Sequence, residues 1–256
     1  MKHKLLPLIA ASIMLLCPGC STLKQVKTEN TKPIRVLFTY GGGHHSPITP
    51  YVDMFNTLPN IEVVPASLPQ SANMLKQGLE KEFDVIVMVQ MMSRKSEFNK
   101  EQRDNFIKLL DKGIGIIALH QAIATEPDWK ESTKIIGGAW RNKPYEVDGV
   151  KYEKSGCLHD TDINVIAAKP HPITEGIPNF TINDELYLNT YNAEDNNIVL
   201  KTDHPQASGG KEIAWTRMYG KSKIFYFQLG HIPEKTWADK NCRQIIANAI
   251  HWASNK

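Results

Sequence analysis

Hydrophobic and polar positions along the chain fall into two alternating periods. Ile34-Arg35-Val36-Leu37-Phe38-Thr39-Tyr40 is a β-rich run that stops at glycines. The spacing from Ile48 to Leu58 predicts a helix with Pro50 in its first turn. Ile61 to Ala66 reads as a second strand, and Ser71 to Glu80 as a helix that Ser71 can cap. Phe83 to Gln90 is a nearly continuous apolar run, the pattern of a strand buried on both faces. Asn99 to Asp111 places Phe106, Ile107, Leu109 and Leu110 on one helical stripe, and Lys112-Gly113 stops it. Ile114 to Leu119 is another buried strand, with His120 at its carboxyl end. Strands alternating with helices in this way predict a flavodoxin-like, doubly wound α/β fold. Its sheet is mostly parallel and carries helices on both faces.

The period fades after the fourth strand. From Ile135 to Asp160 the chain carries Gly137, Gly138, Pro144, Gly149 and Gly156, which predicts a long excursion with a β-ribbon around Tyr145 to Tyr152. Strand-like runs return at Ile163 to Ala167, Glu185 to Thr190, Ile198 to Lys201, Ile213 to Met218 and Ile224 to Gln228. A last helix is expected from Asn241 to Trp252, with Ile245, Ile246, Ala249 and Trp252 on one face. No internal repeat and no second domain boundary interrupts residues 34–256.

The amino terminus follows neither period. Met1-Lys2-His3-Lys4 is a basic start, and Leu5 to Leu16 is an apolar run too short to span a bilayer, the form of a secretory signal. Gly19-Cys20-Ser21 resembles the bacterial lipobox, in which the cysteine becomes the lipidated first residue. Cys17 and Pro18 depart from that pattern, so processing by an ordinary signal peptidase stays open. Residues 1–19 are thus expected to be a lipoprotein signal peptide and 20–33 a polar tether. The expected location is the periplasm. A lipid anchor, expected in the outer membrane, is the only membrane contact.

Composition adds little beyond this. Hydrophobic residues make up 41% and charged residues 22% of 256, ordinary for a soluble domain with a sizeable core. The 30 Lys+Arg fall to 28 without Lys2 and Lys4, against 27 Asp+Glu, a net of +1. That balance argues against a nucleic-acid partner. Cys157 and Cys242 are expected to be free or buried thiols, because a core of this size needs no disulfide.

The chemistry is expected outside the carboxyl ends of the parallel strands, where ligands bind in open α/β sheets. Those ends carry Gly41-Gly42-Gly43-His44-His45-Ser46, Gln90-Met91-Met92-Ser93, His120-Gln121 and Gly230-His231. The glycine run lacks the spaced third glycine of a dinucleotide fingerprint, and no Gly-Lys-Ser/Thr follows it. It lets the backbone turn sharply and approach a ligand closely, or it is a tight turn with two exposed histidines.

Several segments in this order resemble the ThuA-like (trehalose utilisation) family of the class I glutamine amidotransferase-like superfamily. They are Gly42-Gly43-His44-His45, Phe83 to Met88, Gly115 to His120, Ile136 to Trp140, His171 to Pro178, Asp184-Glu185-Leu186-Tyr187, Ala214 to Gly220 and Phe225 to His231. The resemblance spans nearly all of Ile34 to Trp252 and implies a role in sugar utilisation, with a small-molecule carbohydrate as partner. Amidotransferases keep a nucleophilic cysteine on the turn after a central strand. Here His120 holds that place, so glutaminase and cysteine peptidase chemistry is unsupported.

His120, His231 and Glu185 are the candidate catalytic groups, since imidazole suits proton transfer at neutral pH. Glu185 joins them on the family resemblance. The same groups with His45 can instead form a nitrogen/oxygen site for a divalent metal such as zinc. Gly42, Gly43, His44, His45 and Gln90 are candidates to touch substrate. Tyr187, His159 at the end of the excursion and Trp140 join them. The Trp140 indole either stacks on a sugar or packs in the core. Asp184 forms a carboxylate pair with Glu185 or bonds backbone amides in a turn, and His171-Pro172-Ile173-Thr174 reads as structural. Two functions remain open. One is an exported enzyme acting on a keto-sugar or glycoside as an isomerase, lyase or hydrolase without a cysteine nucleophile. The other is a non-catalytic carbohydrate-binding lipoprotein.

Overall fold

The computed structural model describes residues 32–41, 48–90, 98–124, 129–147, 149–207 and 211–254. Gly42, Gly43, His44, His45 and Cys20 lie outside the described residues.

Four short apolar runs become β1 (Ile34–Tyr40), β2 (Ile61–Ser67), β3 (Val85–Met88) and β4 (Gly115–Leu119). Every residue of β3 and β4 is buried, as continuous apolar runs require. Between them lie α1 (Ile48–Phe55), α2 (Gln70–Met74), α3 (Leu79–Glu82) and α4 (Lys100–Lys112). Asn99 caps α4: its side chain accepts from the Gln102 amide while the Gln102 side chain accepts from the Asn99 amide. The single helix expected over Ser71 to Glu80 is instead the pair α2 and α3. Gly78, at φ 98, adopts a left-handed conformation that breaks the helix and starts a new turn. Ser71 does not cap; it sits inside α2, buried, with no hydrogen-bond partner for its hydroxyl.

The excursion begins with a 3₁₀ turn at His120–Ile123 and α5 (Lys130–Ile136). It continues through β5 (Gly138–Ala139) and the ribbon β6 (Tyr145–Val147) with β7 (Val150–Tyr152), where Tyr145 stands opposite Tyr152. It then ends earlier than expected, because β8 runs from Gly156 to Ala167. After β8 come a 3₁₀ turn at Pro172–Thr174, β9 (Phe180–Leu188), β10 (Tyr191–Asn192), β11 (Asn197–Lys201), β12 (Glu212–Tyr219) and β13 (Ser222–Phe227). α6 (Pro233–Thr236) and α7 (Lys240–Ala253) close the chain, with the Asp239 carboxylate capping α7. β9 starts at Phe180, so Asp184 and Glu185 lie inside a strand and not in a turn before one.

The main sheet has nine strands in the order β2-β1-β3-β4-β13-β12-β11-β8-β9. From β2 to β13 neighbours are parallel; from β13 to β9 they are antiparallel. One face of the parallel half packs Val36, Phe38, Val87 and Leu119 against α1 and α7. The other packs Leu37, Ile86, Ile116 and Tyr226 against α2 to α5. Helices therefore cover both faces, as in doubly wound flavodoxin-like folds.

Candidate functional site

β4 and β13 are parallel neighbours, with Leu119 paired to Phe227. Their carboxyl ends therefore open side by side, and this adjacency brings His120 and His231 together. Their ring centroids lie 5.5 Å apart. His120 follows β4 on a sharp turn at φ 47, a left-handed conformation uncommon for a residue with a side chain. That turn drives the imidazole inward, where it is 3% exposed.

The third element comes from the far end of the sheet. β9 pairs only with β8, yet its middle crosses the end of β13. Asp184 fixes the crossing. One carboxylate oxygen accepts from the amides of Glu185 (2.7 Å) and His231 (3.0 Å). The other accepts from the Gly230 amide (3.0 Å) and the Thr236 hydroxyl (2.5 Å). Asp184 is fully buried, so four uncharged donors replace the water this anion gives up. Glu185, one residue on, points the other way, as alternation in a strand requires.

Glu185 is the hub. Oε2 lies 3.4 Å from His120 Nε2 and 3.2 Å from His231 Nδ1; Oε1 lies 3.2 Å from His159 Nδ1. The residue is 5% exposed. The His231 and His159 side chains are 19% and 59% exposed, so the cluster opens to solvent on the His159 side. Cys157 completes the rim, with Sγ 3.6 Å from His159 Nε2. Burial and the neighbouring Glu185 push its thiol up to about 12, so it is no ready nucleophile. Both Cys157 and Cys242 are free thiols.

His120 is held on three sides. Its Nδ1 donates to the Gln228 carbonyl at 2.8 Å, which fixes the tautomer. The Tyr226 hydroxyl donates to its backbone carbonyl at 3.1 Å. The Tyr187 hydroxyl lies 3.2 Å from both ring nitrogens and so serves neither in the ring plane. Burial holds the His120 imidazole below its ordinary pKa, against the opposing pull of Glu185. Gly230 makes room for it: at φ 134, its missing Cβ would stand 3.3 Å from His120 Cβ and from the Trp237 ring.

Of the other candidates, Tyr187 and His159 join the cluster. Trp140 meets it only through the Tyr187 ring, centroids 5.2 Å apart, and its Nε1 donates to Asn142. Gln90 is buried at the end of β3, with its side-chain oxygen bonded to the Thr39 hydroxyl. His171 is structural: its Nδ1 accepts from the Ile173 amide. The sequence reading assigned no role to Gln228 and left Asp184 between two. The signal for Asp184 was its place beside Glu185 in a run otherwise suited to a buried strand.

Comparison with known proteins follows the same lines. Residues 35–253 match the family model ThuA, described as trehalose utilisation. A ThuA-like protein from Parabacteroides merdae ATCC 43184 superposes with a TM-score of 0.70 at 18% identity, over 87% of this chain and 90% of that one. Another, from Bacteroides uniformis ATCC 8492, gives 0.64 at 19%, over 86% and 91%. A GMP synthase component from Thermoplasma acidophilum gives 0.50 at 12%, over 85% and 93%, a likeness of fold to the amidotransferase group. No curated protein matches the chain.

Proposed function

Because the chain belongs to the ThuA (trehalose utilisation) family, we propose that it is an exported enzyme that takes a proton from an oxidised sugar or glycoside. The observation that carries the reading is one buried carboxylate, Glu185, facing three imidazoles at 3.2–3.4 Å where two parallel strands end. Such a group moves protons and stabilises charge without needing a nucleophile. His159 is the exposed member. With Nδ1 donating to Glu185, its Nε2 keeps a lone pair for the substrate. In the proposed step His159 Nε2 takes the proton from the carbon beside the carbonyl, and the electron pair moves onto the carbonyl oxygen. Return of the proton to the neighbouring carbon isomerises the sugar; departure of a group β to the carbonyl eliminates the aglycone. His120 and His231 form the buried floor on which the carbonyl oxygen is seated.

Exchange of the substrate's C–H for deuterium in heavy water, followed by NMR on keto-glucosides, tests this. The full chain is expected to catalyse exchange, and His159→Ala to slow it by about 10²–10⁴-fold. Saturable binding of an unchanged sugar with no exchange replaces this reading by the non-catalytic carbohydrate-binding one. The leader pattern of residues 1–19 and Gly19-Cys20-Ser21 support periplasmic placement with a lipid on Cys20. Cys20→Ala is expected to release the protein from membranes or leave it unprocessed; membrane-bound, normally matured mutant protein defeats the anchor.

A further inference from the structure

The reactive cluster has an electrostatic problem that its own side chains do not solve. His120 Nδ1 donates to the Gln228 carbonyl, an acceptor with no hydrogen to give. In the neutral ring Nε2 is then a bare lone pair. It is aimed at Glu185 Oε2 across 3.4 Å, and His231 Nδ1 faces the same oxygen from 3.2 Å. A protonated His120 would relieve the repulsion, but two features oppose it. The ring is 3% exposed, and charge-assisted N–H···O bonds close to ~2.7–2.9 Å.

The separations have another meaning. Ligand atoms about 2.0–2.1 Å from a tetrahedral ion stand roughly 3.3–3.4 Å from one another along each edge. His120 Nε2 and His231 Nδ1 stand close to that distance from Glu185 Oε2. One atom from each of the three residues lies within 4.8 Å of the others. Each ligand also has outside support. The Gln228 carbonyl fixes the His120 ring, and Asp184, through the amides of Glu185 and His231, fixes the backbone of the other two. Supports of this kind accompany metal ligands because they set the tautomer and orientation beforehand.

We propose that His120 Nε2, His231 Nδ1 and Glu185 Oε2 hold one divalent cation of borderline character, of which zinc is the representative. Two nitrogens and one oxygen fit that class; magnesium and calcium favour all-oxygen sets. Three protein ligands leave a coordination position open, the arrangement of a catalytic rather than a structural site. The proposal rests on the reading of this cleft as the reactive one. There the cation would polarise the carbonyl oxygen while His159, on the other carboxylate oxygen, handles the proton. A competing set, Cys157, His159 and Glu185, shares the carboxylate. It is disfavoured because one member is an exposed ring and another is a thiol held protonated.

The experiment strips the full chain with a chelator and titrates it with zinc by calorimetry, then with cobalt(II) followed by absorption. One ion per chain is expected, with a cobalt spectrum lacking a thiolate charge-transfer band. Glu185→Gln and His231→Gln should each weaken binding by more than the roughly 10–100-fold that a supporting residue costs. His159→Ala and Cys157→Ser should change it little. Circular dichroism on each variant separates lost ligation from lost fold. Unsaturable binding by the wild type, full binding by folded Glu185→Gln and His231→Gln, or a thiolate band that Cys157→Ser removes each overturns the site. If zinc binds as described and no oxidised sugar is turned over, the functional reading fails and the site stands. If deuterium exchange proceeds at full rate in the stripped protein, the site fails and simple acid–base chemistry stands.

Discussion

The two halves of the sheet bring chemistry to the cleft by different routes. β3 and β4 in the parallel half are buried at every position, whereas β8 shows long solvent-facing stretches and β9 mixes buried and half-buried positions. A strand packed on both faces has no side chain left for solvent or ligand, so its chemistry is confined to the loop that follows it. His120 and His231 are of that kind. An antiparallel strand with one free face can present side chains from its middle. Cys157, His159, Glu185 and Tyr187 are of that kind. The site exists only where the second half leans over the first, and Asp184 makes that connection.

Breaking the connection should have the largest effect of any single change. Asp184→Ala removes the acceptor for three backbone amides and the Thr236 hydroxyl, all in a buried place. A loss of about 3–5 kcal/mol is expected in urea unfolding. Asp184→Asn, which keeps one acceptor oxygen, should lose less. A cost below about 1 kcal/mol for the alanine would mean that the arm is held by packing alone.

This contrast also explains what could be read from the sequence. The parallel half was legible because continuous apolar runs such as Phe83 to Gln90 have few other readings, and His120 follows directly from the strand-end rule. The carboxylate was harder. Glu185 was placed at the start of a strand, because Asp184 looked like turn chemistry and not like a charge buried within β9. The residues that satisfy Asp184 are some 46 positions away, and spacing along the chain carries no trace of them. The same limit hid Gln228, which acts through a backbone carbonyl that any residue would supply. The Gly78 break in the second helix was visible as a glycine, but helices tolerate single glycines at a modest cost.

A second pair of changes sharpens the comparison at the backbone. Gly230→Ala, at φ 134 with its Cβ 3.3 Å from His120 Cβ, should cost about 1–3 kcal/mol and displace the imidazole. Gly156→Ala, at the start of β8 with nothing within 4 Å of the added Cβ, should fall within about 0.5 kcal/mol of wild type. Comparable losses would show that the parallel edge is no tighter than the antiparallel arm.

The smallest expected effect lies where the β8–β9 connection is fastened to the helix layer of the parallel half. His171 accepts from the Ile173 amide at 3.2 Å and stands edge-on to Trp252 of α7, and the Asn248 side chain donates to the Ile173 carbonyl. Only the neutral ring can accept that bond. Burial, and then Lys169, lower its pKa in the fold. The unfolded chain therefore takes up the proton first. The stability contributed by neutral His171 is complete above the ordinary histidine value of about 6.5 and is lost as pH falls below it. His171→Asn keeps an acceptor for the amide and removes the titration. Urea unfolding of both proteins from pH 7.5 down to 5 should show the wild type losing more stability than the variant. The difference should stay under about 1 kcal/mol, because the ring is half-buried and water screens its charge. Parallel pH profiles would show that this junction does not depend on the protonation of His171, and that the contacts of α7 alone hold the two halves together there.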